Sequence, residues 1–159
     1  MFNFNNTLNQ PFSETNLYTI LNRINLKSIV VQNIQNYQWA FIPHVPPNTL
    51  NKYLKYELLG KQLMAFHVMN FLLSKDTTRP DTISGLHTTW LSSSRLAHIS
   101  KELELPNYLC LDISSENNGG RQNDNLHVKL IRSFIGAAYS DQITESNGFL
   151  VTQQLIYAL

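Results

Sequence analysis

The sequence predicts an all-α fold. Apolar residues recur three and four positions apart through most of the chain, which is the spacing of one helix face. No segment alternates apolar and polar residues as a half-buried strand does. Residues that favour helix starts, among them Ser13 and the pair Asn48-Thr49, precede several of these segments. These observations together favour helices over sheet.

The predicted helices follow one another along the chain. Ser13 caps a first helix, on which Leu17, Ile20, Leu21 and Ile24 share one face. A second helix is expected over about 27–39, before a proline-rich segment, and a third, the most hydrophobic, over about 50–73. Further helices are expected over about 86–94, 95–103, 126–139 and 147–157. Residues 74–85 and 114–125 are polar and predict loops.

Length and composition limit the classes of protein to consider. A chain of 159 residues fits one domain, and we assign 1–27 to an N-terminal extension with a short helix and 28–159 to the main domain. A net charge of +1 gives no general basicity for nucleic-acid binding, so any such contact must come from local clustering. The single cysteine, Cys110, excludes an internal disulfide, and no apolar run is long enough to span a membrane.

Several segments, in order, resemble the endonuclease domain of the ribonuclease III family. Glu57-Leu58-Leu59-Gly60-Lys61 is similar to its signature E-F-L-G-D, with lysine in place of the final aspartate. The segment from Trp90 to Leu103 resembles L-V-S-R-E-S-L-A-x-I-A-x-E-L. Gly119-Gly120-Arg121 and the later segment Leu130 to Asp141 resemble the family's glycine-rich loop and D-A-x-E-A-x-I-G-A-x-Y-x-D helix. The resemblance covers about residues 28–157 and implies an antiparallel assembly of helices.

The resemblance also implies where the family's magnesium ligands would stand. The family cleaves double-stranded RNA with Mg²⁺, an ion that requires hard oxygen ligands. The corresponding positions here are Leu54, Glu57, Lys61, Lys129 and Arg132, of which Glu57 alone is acidic. We therefore expect no metal, no cofactor and no enzymatic activity. Rebuilding the site from Asp124 or Asp141 is disfavoured, because Asp141 lies roughly 18 Å beyond Lys129 along an ideal helix.

Two interpretations of the basic replacements stay open. Lys61, Lys129 and Arg132 have either drifted on a solvated face or formed a basic surface for phosphate or an acidic partner. Arg121 in the glycine-rich loop is a further candidate for RNA contact. Lys52 and Lys55, together with Arg23 and Lys27, make the first third of the chain locally basic and form another candidate patch, and Trp39 and Tyr53 lie near them in sequence. The five histidines show no zinc-binding pattern.

The resemblance implies partners and two hypotheses of function. Family domains dimerise through the signature helix, where Leu58 takes the place of a buried apolar or aromatic residue. Domains of this kind that lack the carboxylates resemble the small ribonuclease III-like protein of the fungal mitochondrial large ribosomal subunit. The first hypothesis is therefore a non-catalytic structural component of the mitochondrial large ribosomal subunit, in the mitochondrial matrix. Its partners would be ribosomal RNA and neighbouring ribosomal proteins, including a second ribonuclease III-like subunit. The choice between a homodimer, which is possible for the isolated chain, and a heterodimer with that subunit stays open. The alternative is a pseudoenzyme subunit that dimerises with an active ribonuclease III and regulates it.

Overall fold

The computed structural model describes residues 12–43, 51–75, 79–143 and 147–159, and it confirms the predicted all-α fold. Eight α-helices occur in these ranges: α1 (Glu14–Arg23), α2 (Ile34–Ala40), α3 (Lys52–Leu73), α4 (Pro80–Trp90), α5 (Ser93–Glu102), α6 (Ile113–Asn117), α7 (Asp124–Gln142) and α8 (Gly148–Ala158). Short 3₁₀ helices span Leu105–Tyr108 and Gly120–Gln122. The same ranges contain no β-strand and no helix long and apolar enough to cross a membrane.

Short polar side chains begin several helices. At α1, the Ser13 hydroxyl accepts the Asn16 N–H, and the Asn16 side chain accepts the Ser13 N–H in return. At α3, the Asn51 side chain accepts the N–H of Leu54 at 3.0 Å. The helix thus begins at Lys52, whereas the predicted cap, Asn48-Thr49, lies outside the described residues.

The second helix is shorter than predicted. Instead of spanning 27–39, α2 begins at Ile34, and the residues before it are irregular. Asn25 has a positive φ of 57°, which ends the preceding helical path. The main-chain N–H groups of Gln32 and Asn33 donate to the carboxylate of Asp141 on α7, at 2.9 and 2.6 Å. A tertiary contact therefore replaces the helical hydrogen bonds that the local pattern predicts.

Two predicted loops contain helices. The helix expected from about residue 86 begins at Pro80, within the segment 74–85 that was assigned to a loop. Proline fits the first turn of a helix because no partner is needed for its missing N–H, and Asp81 is favourable beside the positive end of the helix dipole. The segment 114–125 likewise includes most of α6 and a 3₁₀ turn at Gly120–Gln122.

The core surrounds α7, which is buried on most of its sides and packs along α3. Phe134 of α7 contacts Tyr37 of α2 and Phe41, with ring centroids 5.8 and 6.2 Å apart. The N-terminal helix α1 joins this core, since Leu17, Ile20 and Leu21 are fully buried. Burial of this apolar surface is the main driving force for the assembly. It fixes α3 and α7 side by side, and the candidate site lies where they cross.

Candidate nucleic-acid interface

Two glycines bring α3 and α7 into backbone contact. A Cβ on Gly60 of α3 would lie 1.8 Å from the carbonyl oxygen of Arg132 on α7. A Cβ on Gly136 of α7 would lie 2.1 Å from the carbonyl oxygen of Tyr56 on α3. Side chains that leave the two helices beside this crossing are consequently neighbours in space.

The charged residues predicted for the site meet at this crossing. On α3, Glu57 and Lys61 lie one turn apart on a shared face, and on α7, Lys129 and Arg132 do the same. We call the surface formed by Glu57, Lys61, Lys129 and Arg132 the α3–α7 face. Both lysines are exposed, whereas the side chains of Glu57 and Arg132 are only 13% and 19% exposed. Leu54, the fifth predicted position, is exposed on α3 beside them.

Glu57 pairs across the helices. Its Oε1 lies 3.6 Å from Nη1 of Arg132, which is within reach for an ion pair but too long for a hydrogen bond. Lys61 also stands one turn from Glu57 along α3, at the spacing of an i, i+4 ion pair, but the structure pairs Glu57 with Arg132 instead. Within the described ranges Lys61 and Lys129 make no ion pair, so both ammonium groups are available to an anion.

The donor set does not fit the magnesium site that the family resemblance implies. Glu57 supplies the one carboxylate among the five corresponding positions, and Arg132 already faces it. The other positions carry a leucine, two lysines and the arginine, none of which offers an oxygen ligand. In the part of the chain that the structure describes, no group of three His, Cys, Asp or Glu side chains is placed to hold a metal ion.

The two aspartates considered for rebuilding the site have other contacts. Asp141 is buried and accepts hydrogen bonds from the main chain of Gln32 and Asn33 and from the Gln142 side chain. Asp124 is paired with Lys101 at 2.6 Å, and this hydrogen bond is the largest cause that lowers the pKa of Asp124. Both carboxylates therefore serve local structure.

Arg121 is held inside the glycine-rich loop. Its guanidinium donates to both carboxylate oxygens of Glu116 at 2.9 Å and to the carbonyl oxygens of Pro106 and Leu109. The Arg121 side chain is 17% exposed. Because most of its five N–H donors are engaged, we leave Arg121 out of the RNA surface proposed below.

The second basic patch predicted from sequence is only partly assembled. Lys52 lies over the ring of Trp39 at 5.7 Å, a cation–π contact, and Lys55 is exposed one turn from Lys52. Arg23 instead pairs with Glu104 at 2.7 Å and donates to the carbonyl of Leu103. Tyr53 is fully buried, and burial followed by the nearby Glu57 charge raises the pKa of its phenol.

An exposed apolar stripe follows α3 beside the charged face. Leu58, Phe66 and Leu73 are 61%, 53% and 58% exposed, values unusual for large apolar residues. They share one face of the helix with Gln62 and Met69, and we call these five residues the α3 stripe. Phe66 also contacts Phe149 of α8, itself exposed, with ring centroids 5.2 Å apart. Leu58 was predicted from the sequence as an interface residue, whereas Phe66 was not, although Phe66 stands two turns further along the same face.

Two of the histidines that the structure describes, His67 and His127, are buried. His44 lies outside the described residues. His67 is fully buried between α3 and α8, where its Nε2 lies 3.3 Å from the Thr152 hydroxyl, and burial lowers its pKa. His127 is buried with its Nε2 2.7 Å from the carbonyl oxygen of Arg121. Both side chains support helix contacts.

Comparison with known proteins relates the chain to one family. Residues 46–159 match the family described as Ribonuclease-III-like. The chain is 26% identical over 106 residues to Ribonuclease 3 of Pediococcus pentosaceus, covering 66% of this chain and 46% of the relative. It is 30% identical over 87 residues to Ribonuclease 3 of Methylococcus capsulatus, covering 54% and 38%. The chain thus spans less than half the length of these relatives.

Solved structures show the same fold. Two structures of the nuclease domain of ribonuclease III from Campylobacter jejuni superpose with TM-scores of 0.74 and 0.70. Each covers 89% of this chain, and the structures are covered to 94% and 93%, at 16% and 19% sequence identity. One of them shows structural flexibility in a region involved in dimer formation of that nuclease domain. At these identities the likeness establishes the fold.

The relatives correct one prediction from sequence. The chain was expected not to be an enzyme, because carboxylates are missing at four of the five corresponding positions. The curated relatives are named Ribonuclease 3, which is the name of an enzyme, and the matching family is ribonuclease III-like. The similarity therefore points to a nuclease family, and the expectation of a non-enzyme is wrong on this finding.

Proposed function

Because the chain belongs to the Ribonuclease-III-like family, whose model matches residues 46–159, we propose that it binds double-stranded RNA as a dimer, through its α3–α7 face. The observation that carries this proposal is the pair of exposed lysines, Lys61 and Lys129, which make no ion pair within the described residues and lie beside Arg132. With Glu57 counted, the four side chains carry a net charge of +2, from three cations and one anion. Such local charge attracts a phosphate backbone even where the whole chain is nearly neutral.

The α3 stripe supports the dimer. Leu58, Phe66 and Leu73 present apolar surface along one helix face, and contiguous exposed apolar surface marks contact sites between proteins. A second copy packed along this stripe covers the exposed residues of both copies at once, as a two-fold interface does. The α3–α7 face shares α3 with the stripe, so a dimer holds two basic faces in a fixed relation to one another. That arrangement suits a long duplex.

Direct binding measurements test the proposal. Fluorescence anisotropy with a labelled RNA duplex, its single strand and a DNA duplex of the same sequence separates duplex RNA binding from general charge attraction. We expect the RNA duplex to bind most tightly, and sedimentation equilibrium to give twice the chain mass of 18.3 kDa. Equal, weak affinity for all three nucleic acids would contradict the RNA assignment, and a monomer at micromolar concentration would contradict the dimer.

We propose the mitochondrial large ribosomal subunit as the setting of this contact. The partners would be ribosomal RNA and neighbouring proteins, including a second ribonuclease III-like subunit, in the mitochondrial matrix. The resemblance of small, carboxylate-poor domains of this type to such ribosomal proteins supports the setting, as do the basic residues Lys61, Lys129 and Arg132. Sedimentation of the tagged chain with large ribosomal subunits from mitochondria is the expected result. Recovery of the chain only at the top of the gradient would exclude this setting.

A further inference from the structure

Arg132 has an unusual combination of position and partners. Its main-chain carbonyl lies at the crossing of α3 and α7, where a Cβ on Gly60 would come within 1.8 Å of it. The backbone from which the side chain leaves is therefore fixed by direct helix contact. The Arg132 side chain is 19% exposed, so most of it is shielded by protein and part of it meets solvent.

The N–H donors of this guanidinium have no hydrogen-bond acceptor among the residues that the structure describes. Its nearest anionic atom, Oε1 of Glu57, lies at 3.6 Å, beyond hydrogen-bonding distance. Among the described residues Arg132 donates no side-chain hydrogen bond, in contrast to Arg121, whose donors are largely satisfied. The guanidinium group is planar, and its parallel N–H donors match the geometry of two oxygens on one phosphate.

The surrounding charges favour an anion over a cation. Lys61 and Lys129 lie one turn from Glu57 and Arg132 along their own helices, and each is exposed and without an ion pair in the described ranges. A divalent cation approaching Glu57 meets three positive side chains and a single carboxylate. An anion approaching Arg132 meets three positive charges and displaces that carboxylate.

We propose that this face binds a phosphodiester oxyanion of RNA directly, through Arg132, Lys61 and Lys129, and without a divalent metal ion. Glu57 is the internal counterion that the phosphate displaces from Arg132. The three cationic side chains then neutralise the phosphate, as metal ions do in sites that supply oxygen ligands for them. This inference rests on the proposed RNA-binding function, and it goes further in naming the bound group and the independence from metal.

The role of Glu57 can be tested by the direction in which its substitution changes RNA affinity. If Glu57 competes with phosphate for Arg132, Glu57→Gln removes the competitor and strengthens RNA binding by roughly threefold or more in EDTA. If Glu57 instead holds a metal ion that bridges to phosphate, the same substitution weakens binding and does so only when Mg²⁺ is present. Glu102→Gln is the matched control, because Glu102 is an exposed carboxylate on α5.

The experiment measures anisotropy of a labelled RNA duplex with the full chain in EDTA and in MgCl₂ at equal ionic strength. We expect Mg²⁺ to leave RNA affinity unchanged or lower it, and Glu57→Gln to raise it. Arg132→Gln should lower RNA affinity about tenfold, and Lys129→Gln, at an exposed position, is a second variant that should lower it. A specific gain in affinity with Mg²⁺ that Glu57→Gln removes would overturn the inference. So would wild-type affinity in all three variants.

A second probe separates failure of the inference from failure of the proposed function. If duplex RNA does not bind at all, the proposed function fails, and sodium tripolyphosphate in EDTA becomes the test of the anion site. A rise in Tm with tripolyphosphate that Arg132→Gln abolishes supports the phosphate site on its own. Equal Tm values with and without tripolyphosphate would overturn the site as well. Circular dichroism of each variant establishes that it is folded before either probe is used.

Discussion

A Cβ on Gly60 would stand 1.8 Å from the carbonyl oxygen of Arg132, which places α3 and α7 in backbone contact. The same crossing positions Glu57 beside Arg132 and brings the α3–α7 face together. Gly136 makes the reciprocal approach to Tyr56. The candidate interface is thus a consequence of helix packing, and disturbing the packing should disturb stability and site together.

Alanine at the crossing should destabilise the fold. Gly60→Ala or Gly136→Ala places a methyl group against backbone that cannot move aside, at a cost of about 3 kcal/mol in the free energy of unfolding. Urea denaturation monitored by circular dichroism measures it. Gly85→Ala is the control, because no atom lies within 4 Å of the added Cβ and alanine favours the helix by up to about 1 kcal/mol. Equal stability of Gly60→Ala and wild type would show that the helices do not touch there.

Asp141 should matter for stability. Its buried carboxylate accepts the N–H groups of Gln32 and Asn33 and one from Gln142, and bonds to a charged acceptor contribute about 1.5 to 3 kcal/mol. Asp141→Asn keeps the shape of the side chain but replaces one accepting oxygen with an amide N–H₂, which cannot accept the N–H group that faces it. The free energy of unfolding should therefore fall by about 2 kcal/mol. Asp81→Asn, at an exposed first-turn position, should change it by less than about 1 kcal/mol. Equal effects of the two variants would argue against the observed contacts.

Stability should fall in mild acid because of His67. Burial lowers its pKa below the ordinary 6.5, so the unfolded chain takes up the proton first as the pH falls through 6.5. The folded state therefore loses stability from about pH 6.5 down to the lowered pKa, at no more than about 1.4 kcal/mol per pH unit for one proton. Unfolding in urea at a series of pH values measures the slope. His67→Gln should flatten it, and exposed His98→Gln should not; a slope unaffected by His67→Gln would refute the assignment.

Leu58 should control association. Leu58→Asp puts a charge into the α3 stripe, and its burial against a second copy is costly, so the variant should sediment as a monomer. Ile113→Asp is a matched control, since Ile113 on α6 is 55% exposed and Leu58 is 61% exposed. Sedimentation velocity over a concentration series distinguishes the two states. Identical profiles for the Leu58 variant and wild type would remove the stripe as the dimer surface.

The sequence predicted the elements whose signals are local. The long apolar period of α3 and the continuous run of α7 gave helices within a few residues of Lys52–Leu73 and Asp124–Gln142. It overextended α2, because the deciding contact is made by Asp141, more than 100 residues away in sequence. It placed the start of α4 too late, because the polar residues 74–85 predicted a loop, although Pro80 fits the first turn of a helix.

The candidate site, like the fold, was predicted where the sequence signal is local and missed where distant contacts decide. The resemblance selected Glu57, Lys61, Lys129 and Arg132, and the structure gathers them at one helix crossing. The pairing of Glu57 with Arg132 depended on which helices meet, which helical spacing along α3 does not encode. Arg121 was a candidate for RNA contact because it stands in the glycine-rich loop, but Glu116 and carbonyl groups on a neighbouring turn take up its donors. Hydrogen bonds to main-chain carbonyl groups cannot be predicted from residue types.

The salt dependence of RNA affinity tests the central claim most directly. In the triple variant Lys61→Gln, Lys129→Gln, Arg132→Gln, each lost phosphate contact should reduce the slope of log affinity against log salt by roughly 0.7 to 0.9. The control Arg79→Gln, Arg95→Gln, Lys101→Gln removes the same formal charge from exposed positions on and next to α4 and α5 and should keep the wild-type slope. If the α3–α7 face binds RNA, the triple variant loses about two units of slope or more together with its affinity. If its affinity and slope equal those of the wild type, this face does not contact the phosphate backbone.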